Sequence, residues 1–238
     1  MKFTVHKAGS RGHANHGWLK TWHTFSFANY YNPNRMNFGA LRVLNDDSIQ
    51  AGMGFGTHPH DNMEIITIVL EGELEHRDSM GNGSVITPGE VQVMSAGTGI
   101  QHSEFNHSES QDLSLLQIWV FPDKQEVEPR YGQARFADEE MNGKWRVVVS
   151  PDGAENSLWI HQQSWFSIGA FAKGSVVELK FNKPGNGWYI FVISGSAKIG
   201  EETLHARDGI GIEGEDNLLA IAIEEDSKLL AMEVPLFR

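Results

Sequence analysis

Two pairs of residues whose side chains can bind metals lie in the first half of the chain. His58 and His60 are two residues apart in the run Gly-Thr-His-Pro-His, and His102 and Glu104 are two apart in Gln-His-Ser-Glu. Side chains two residues apart on a β-strand point to the same face. If two such strands lie side by side, three imidazoles and one carboxylate meet at one point. That set suits a divalent transition metal and leaves coordination positions open for chemistry.

Each pair also has a simpler explanation. Exposed imidazoles in a loop would account for the first pair, because Pro59 cannot donate to a β-ladder, although proline is tolerated on an edge strand. A surface strand would account for His102 and Glu104. Taken together, the pairs favour a metal site, since neighbouring imidazoles buried without a partner are costly and a metal ion satisfies both.

Two nearby carboxylates extend the candidate set. Glu64 would be a fifth ligand or, like Asp61, an acceptor for the second ring N–H of a ligating histidine, and the sequence leaves this open. The metal is also open among Fe, Mn, Co, Ni, Cu and Zn. Iron(II) is favoured, because octahedral iron keeps positions free whereas a structural zinc site closes at four ligands. A phenol or enol loses its proton more easily beside such a cation, which favours oxidation of an anionic, chelating substrate.

The other histidines and the aromatic side chains are assigned ordinary roles. Five isolated histidines are expected to form hydrogen bonds or lie on the surface: His6, His76, His107, His161 and His205. Residues 18–31 are dense in aromatic side chains, which favour a packed element that closes a barrel over a pocket wall shared with His13, His16 and His23. Phe55 and Phe38 are candidates to hold the flat rings of a ligand, although core packing is the commoner role of phenylalanine.

Composition excludes several classes of protein. The chain has 238 residues, 40% of them hydrophobic, so it can bury a substantial core. Its net charge of -12 disfavours direct binding to nucleic acids and anionic membranes but leaves a protein partner open. There is no cysteine, so neither a disulfide nor a thiolate ligand can form. No signal peptide and no membrane-spanning run is evident, and we expect a soluble cytoplasmic protein.

The elements that must position the candidate ligands are β-strands. Glycine occurs 25 times and separates short β-branched runs at spacings typical of a sandwich or barrel. One turn of helix is expected within Arg135–Met141. The expected strands are Ala40–Leu44, Met63–Leu70, Gly72–Asp78, Glu90–Ser95, Leu113–Phe121, Arg146–Ser150, Ser157–Gln163, Ser167–Phe171, Ser175–Phe181, Gly187–Ser194, Ser196–Ile199, Gly209–Ile212, Leu218–Ile223 and Lys228–Glu233.

The chain divides into two halves with a similar order of strands and turns. Prolines and charges interrupt the strands between residues 122 and 145, which favours a boundary there. We predict a metal-binding barrel over residues 1–130 and a second barrel over residues 131–238. The second half holds only His161 and His205, far apart, so we expect it to form a structural or substrate-facing wall without chemistry of its own.

Longer motifs resemble known families. The spacing of the first cupin motif is matched by Gly52, His58, His60, Glu64 and Gly72. Pro88-Gly89, His102 and Asn106 resemble the second motif, with a longer gap than usual before the histidine. Across essentially the whole chain, and most closely over residues 10–121, the sequence resembles the pirin family, and among its members the bacterial pirin-like quercetinases. The segments that carry this resemblance are Arg11–Leu19, Trp22–Pro33, Thr57–His60, Met63-Glu64, Leu70–Gly72 and Met94–Glu104.

The resemblance implies a bicupin, an all-β protein of two face-to-face β-barrels with metal in the N-terminal barrel only. It implies metal ligands at His58, His60, His102 and Glu104, and cleavage of flavonols such as quercetin by O2 with release of carbon monoxide. Glu104 would then be the general base that accepts the proton of the substrate's 3-hydroxyl. Two alternatives remain: a non-enzymatic iron or redox sensor that acts through a regulatory protein, and a cupin enzyme for another enol or phenol. We expect a monomer.

Overall fold

Strands make up most of the described chain, residues 1–214 and 218–237, in a computed structural model that is all-β as expected. The strands of the first half are β1 (Lys2–His6), β2 (Gly12–Asn15), β3 (Leu19–His23), β4 (Leu41–Ile49), β5 (Gly54–His60), β6 (Glu64–Glu71), β7 (Leu74–Asp78), β8 (Gly83–Ile86), β9 (Glu90–Ser95), β10 (Ile100–Asn106), β11 (Leu113–Val120) and β12 (Arg130–Arg135).

The second half begins with a short helix. Its elements are α1 (Asp138–Met141), β13 (Arg146–Ser150), β14 (Leu158–Trp159), β15 (Trp165–Phe171), β16 (Val176–Lys180), β17 (Asn186–Ile199), β18 (Glu202–His205), β19 (Gly209–Glu213) and β20 (Leu218–Pro235). Single 3-10 turns occur at Ala8–Ser10 and Ala154–Asn156.

Two sheets form the N-terminal barrel and one forms the C-terminal barrel. The strand order of the four-stranded sheet is β5-β10-β7-β8, and that of the seven-stranded sheet is β12-β9-β6-β11-β4-β3-β2. The nine-stranded sheet runs β1-β19-β17-β20-β15-β13-β14, with β16 on β20 and β18 on β17. The long strands β17 and β20 therefore each pair with several neighbours along their length.

Two strands cross the predicted boundary at residue 130. β1 pairs antiparallel with β19 in the C-terminal sheet, while β12, which begins at Arg130, pairs with β9 in the N-terminal sheet. Each half of the chain thus contributes one edge strand to a sheet of the other half. The division at 130 stays a prediction, and the pairing shows that neither half closes its sheet with its own strands alone.

The seven-stranded sheet is buried on both faces. One face packs against the C-terminal barrel in a core shared by both halves, in which Ile66 and Leu116 join Phe166 and Tyr189. The other face turns toward the four-stranded sheet and carries a row of polar side chains in register across six strands. The row is His23, Asn45, Gln117, Thr67, Gln92 and Gln133.

Apolar side chains close both ends of this polar row. On β6 the inward positions are Ile65, Thr67 and Val69, which place one polar residue between two apolar clusters. On β11 the same order is Leu115, Gln117 and Trp119. The N-terminal barrel therefore has a polar belt between two apolar ends, whereas the cluster inside the C-terminal barrel is built from apolar residues such as Trp188, Ile190 and Ile221.

Most expected strands are present, and their differences have local causes. The two strands expected around Gly195 are one strand, β17, because register shifts bend it through that glycine, whose φ is 83°. The last two expected strands likewise merge into β20. The helix expected from Arg135 starts at Asp138, since Arg135 still pairs with Glu90 in the sheet. The strand expected over Ser157–Gln163 is confined to Leu158–Trp159.

The core between the barrels gives the first prediction. Phe166 on β15 is fully buried there, so Phe166→Ala is expected to lower the free energy of unfolding by about 3–5 kcal/mol through the cavity it leaves. Urea unfolding followed by tryptophan fluorescence measures the change. Val176→Ala, at a side chain 66% exposed on β16, is the control and should stay within about 0.5 kcal/mol. Equal losses in the two variants would contradict the assigned core.

Candidate metal centre

The candidate ligands lie on two neighbouring strands, as the spacing predicts. β5 and β10 pair antiparallel, with His102 opposite His58 and Ile100 opposite His60. β5 is the edge strand of its sheet, which is why Pro59 is accommodated within it. Between His102 and Glu104 the register shifts by one residue in a β-bulge, a device that re-aims side chains next to functional sites.

A glycine makes the close approach of the two strands possible. Gly54 faces the backbone of β10, and a Cβ at this position would collide with the carbonyl oxygen of Glu104. Any larger residue would push β5 outward at the bulge. Gly54 therefore sets the distance at which the histidines of β5 face His102 on β10.

Three imidazoles converge at this point. The ring centroids of His58 and His102 are 4.4 Å apart, and His60 lies 4.9 Å from each of them. One ring nitrogen from each of the three can be chosen so that all lie within 4.8 Å of one another. His102 Nε2 is buried without a hydrogen-bond partner. A buried nitrogen of this kind is rare unless an ion or another ligand binds it. The cluster fits a divalent transition metal.

The protonation of the imidazoles also suits metal binding. Burial, with the neighbouring histidines, lowers the pKa of His60 to about 4 and that of His102 to about 2, so both rings are neutral at neutral pH. His58 Nδ1 donates to the carbonyl oxygen of Gly56 at 2.8 Å, which leaves Nε2 with its lone pair free. Such a bond to a backbone carbonyl is the usual way in which a ligating histidine is oriented.

Glu104 occupies a second group that overlaps the first. Among the described residues, the groups of three ligand atoms within 4.8 Å are His58 with His60 and His102, and His76 with His102 and Glu104. The carboxyl of Glu104 accepts bonds from Gln117 Nε2 at 3.1 Å to each oxygen. Burial raises its pKa to about 7, with Asp47 adding to the rise and Gln117 opposing it. The structure thus joins the four predicted ligands through His102, and the role of each as a ligand stays a prediction.

His76 is the site residue that sequence reasoning missed. It is fully buried, packs against Tyr131 with the two rings tilted, and lies opposite Glu104 in the pairing of β7 with β10. Its Nδ1 is 3.5 Å from His102 Nδ1, and its Nε2 is 3.4 Å from Asp78 Oδ2. These contacts can form a chain in which His102 donates to His76 and His76 donates to Asp78. The signal was a third pair of residues two apart, His76 and Asp78, on a strand next to the ligands.

A cavity of about 410 Å³, the first cavity, opens over the candidate ligands. His58, His60 and Glu104 form part of its wall, and the remainder includes Trp18, Phe27, Phe55, Asp47 and Trp119. Its volume lies in the range of sites for small organic molecules. Phe55 therefore borders the cavity, whereas Phe38 is buried against Tyr189 between the barrels, and its candidacy as a ring-holding residue is wrong.

The N-terminal aromatic segment serves both packing and the cavity wall. Phe25 is buried in the core between the barrels, as a packed element would be. Trp18 and Phe27, in contrast, border the first cavity. His13, His16 and His23 border a second cavity next to it, so the expectation that this segment is purely structural is too narrow.

The two carboxylates with open roles lie outside the cluster. Glu64 is buried and accepts a bond from Ser95 Oγ at 2.8 Å, with a further bond from the backbone of His161. Its burial raises its pKa to about 7. Asp61 is exposed and acts on His60 as a nearby charge. Among the isolated histidines, His6 bonds to Tyr189 and His107 to Glu75, which are ordinary roles.

The fold and the site define a bicupin whose first barrel carries a histidine cluster suited to a divalent metal. The chain belongs to the pirin family: that family matches residues 4–120, and the quercetinase C-terminal cupin domain matches residues 147–234. It is 47% identical over 231 residues to a protein of Escherichia coli strain K12 named quercetin 2,3-dioxygenase, covering 97% of this chain and 98% of that one. A pirin-like protein of Caulobacter vibrioides is 39% identical over 223 residues, covering 93% and 95%.

Solved structures agree with this assignment. The bacterial pirin YhhW from Escherichia coli, in complex with nickel(II), matches with a TM-score of 0.94 and 45% identity, covering 99% of this chain and 100% of that one. No helix in the part of the chain that the structure describes is long and apolar enough to cross a membrane.

The cluster predicts which histidines hold the metal. His58→Ala and His102→Ala are each expected to reduce bound metal to background after anaerobic loading with iron(II) and removal of excess, because each removes one of three converging nitrogens. Plasma mass spectrometry measures the metal, and circular dichroism checks that the variants are folded. His107→Ala, at an exposed ring bonded to Glu75, should keep wild-type metal content. Full metal content in both site variants would place the ion elsewhere.

The chain through His76 gives a separate prediction. His76→Phe keeps a ring against Tyr131 but removes the nitrogens that orient His102, so metal affinity should fall by about 10–100-fold. Competition with a chelator of known affinity measures the change. Asp78→Asn should shift affinity in the same direction by less. Unchanged affinity in His76→Phe would show that His102 is held by other contacts.

Proposed function

We propose that the protein is a metal-dependent dioxygenase that cleaves flavonols such as quercetin with O2. The observation that carries the proposal is the cluster of three imidazoles next to a buried carboxyl at the wall of a cavity of small-molecule size. The chain is similar over nearly its whole length to proteins named quercetin 2,3-dioxygenase. In this reaction both atoms of O2 enter the products, the central ring of the flavonol opens, and carbon monoxide leaves.

His58, His60 and His102, with Glu104 beside His102, would hold the metal. When bound, a divalent transition metal such as iron(II) favours the deprotonated form of a chelating hydroxyl and provides the redox chemistry that reaction with O2 needs. The identity of the metal as iron(II) belongs to this proposal, and the related bacterial pirin holds nickel(II) in its crystal structure.

Glu104 is the residue we assign to proton transfer. Its carboxyl borders the first cavity, and a carboxylate can act as the general base that removes the proton of a 3-hydroxyl. Gln117 holds both of its oxygens, and Thr67 donates in turn to Gln117 Oε1 at 3.1 Å. This chain fixes the carboxyl in one orientation, so the proton can be accepted without reorganisation of the site.

The aromatic wall of the first cavity orients the substrate. Trp119 packs edge-on against His60, and Phe55 packs edge-on against Trp18. Flat aromatic faces and edges on two sides of the cavity favour a flat, conjugated ligand over a flexible one. They also exclude water from the hydroxyl that loses its proton, which strengthens its interaction with charged groups nearby.

Other parts of the proposal concern the setting of the protein. The lack of cysteine suits a reducing compartment, so we assign the protein to the cytoplasm. We expect it to act as a monomer on a small phenolic substrate. Its acidic charge disfavours a direct role on DNA.

The proposal is tested by oxygen uptake with quercetin and by assay of carbon monoxide. Metal-loaded wild-type protein should consume both substrates in equal amounts and release carbon monoxide, whereas Glu104→Gln should lose at least about 100-fold in kcat because the proton has no acceptor. Glu75→Gln, at a half-buried carboxylate outside the site, is the matched control and should turn over normally.

Two results would contradict the proposal. Full turnover by protein stripped of metal would show that the reaction needs no metal. Normal turnover by Glu104→Gln would show that Glu104 is not the base. A fully metal-loaded wild-type protein that oxidises no phenol from a broad panel would instead favour the non-enzymatic sensor.

A further inference from the structure

A second cavity adjoins the first and shares a wall with it. It has a volume of about 390 Å³, and it is bordered by His13, His16, His23 and Tyr30 from the N-terminal segment. Phe27, Asn45, Asp47 and Phe55 border both cavities. A ligand that is too long for the first cavity can therefore extend past these four side chains into the second cavity.

Asp47 is the unusual member of the shared wall. It is 6% exposed and lies on β4, two residues beyond Asn45 on the same face. One of its carboxyl oxygens interacts with the Thr21 hydroxyl, and the other, Oδ1, is buried without a hydrogen-bond partner. A buried carboxyl oxygen without a partner is costly, and it is rare unless a ligand supplies the missing bond.

The neighbouring residues show that an unpartnered oxygen is particular to Asp47. Asp46, on the opposite face of β4, forms ion pairs through Oδ2 with Arg11 at 3.1 Å and with Arg207 at 3.6 Å. Asn45 accepts a bond from His23 Nδ1 at 2.9 Å. Among the side-chain oxygens of these three consecutive residues, Asp47 Oδ1 is the one that is buried without a hydrogen-bond partner, and Asp47 lies at the junction of the two cavities.

The chemistry of the free oxygen indicates its ligand. A carboxylate oxygen accepts from O–H or N–H donors, and the two oxygens exchange by rotation about the Cβ–Cγ bond, so either can face the ligand. A phenolic hydroxyl is such a donor. The imidazoles of His13 and His16 on the far wall are exposed and can bond to further hydroxyls as donors or acceptors.

We propose that the flavonol extends from the metal centre past Asp47 into the second cavity, and that Asp47 accepts a hydrogen bond from a hydroxyl on the ring remote from the metal. Asp47 is then the specificity-determining residue that distinguishes substrates with hydroxyls on this pendant ring from those without. The proposal rests on the proposed function, since it takes a phenolic ligand at the metal centre as given.

Binding without turnover tests the proposal. Metal-loaded protein is titrated anaerobically with quercetin, whose pendant ring carries hydroxyls, and with galangin, which has the same fused rings and an unsubstituted pendant ring. Wild-type protein should bind quercetin about tenfold or more tightly than galangin, because the hydrogen bond to the buried carboxyl of Asp47 is lost with galangin. Asp47→Ala should reduce this preference to within about twofold and leave galangin binding nearly unchanged.

Asp138→Asn is the control, because this exposed carboxylate at the start of α1 lies far along the chain from either cavity wall. It should keep the wild-type preference. If Asp47→Ala also keeps it, the proposal is wrong while the proposed function stands. If wild-type protein binds neither flavonol, the proposed function fails and this inference fails with it.

A second variant tests the path of the ligand without touching Asp47. Ala14 is half-buried on the edge strand β2 and borders the second cavity, so Ala14→Trp should fill part of that space. Quercetin affinity should fall about tenfold or more, while maltol, a single-ring compound with the same adjacent hydroxyl and keto groups, should bind as in wild type. Unchanged quercetin binding in a folded Ala14→Trp protein would show that the ligand does not enter the second cavity.

Discussion

The structure depends on burying several imidazoles and a carboxyl while providing hydrogen-bond partners for most of their polar atoms. Burying polar groups without hydrogen bonds costs several kcal/mol for each group, so the barrel must supply partners from its own interior. Gln117 takes both oxygens of Glu104, Gly56 takes the N–H of His58, and His76 stands behind His102. What these contacts leave free is an unpartnered nitrogen of His102, which faces the position that a metal would fill.

The polar belt explains why the sheet around it is so apolar elsewhere. Six polar side chains in one row reduce the apolar surface that this face of the sheet can bury, so the two ends of the row must supply it. Ile65 and Met94 close one end, and Leu74 and Ile86 close the other. The opposite face of the same sheet is buried against the second barrel, so the strands that carry the belt are held from behind. Rigidity at the histidine cluster is thus a consequence of packing on three sides.

Sequence reasoning predicted the elements with local signals and missed those that depend on the fold. His58, His60, His102 and Glu104 could be chosen because two residues per pair on a strand share a face. His76 was missed although it forms a pair with Asp78, and Gln117 could not be chosen, since it has no such pair and becomes important only through its neighbours across the sheet. The exchange of β1 into the C-terminal sheet was missed for the same reason, because Lys2–His6 contains no signal for its distant partner β19.

The two barrels show that the fold does not by itself produce the chemistry. Both are closed by antiparallel strands of similar order, and both bury a continuous cluster of side chains. In the second barrel the inward positions of β17 are Trp188, Ile190 and Val192, where the first barrel carries hydrogen-bonding groups on β11 and β6. Side chains of this kind offer no ligand to a metal. The second barrel instead packs against the back of the seven-stranded sheet. The apolar contacts on that face stabilise the same strands that carry polar residues on their other face.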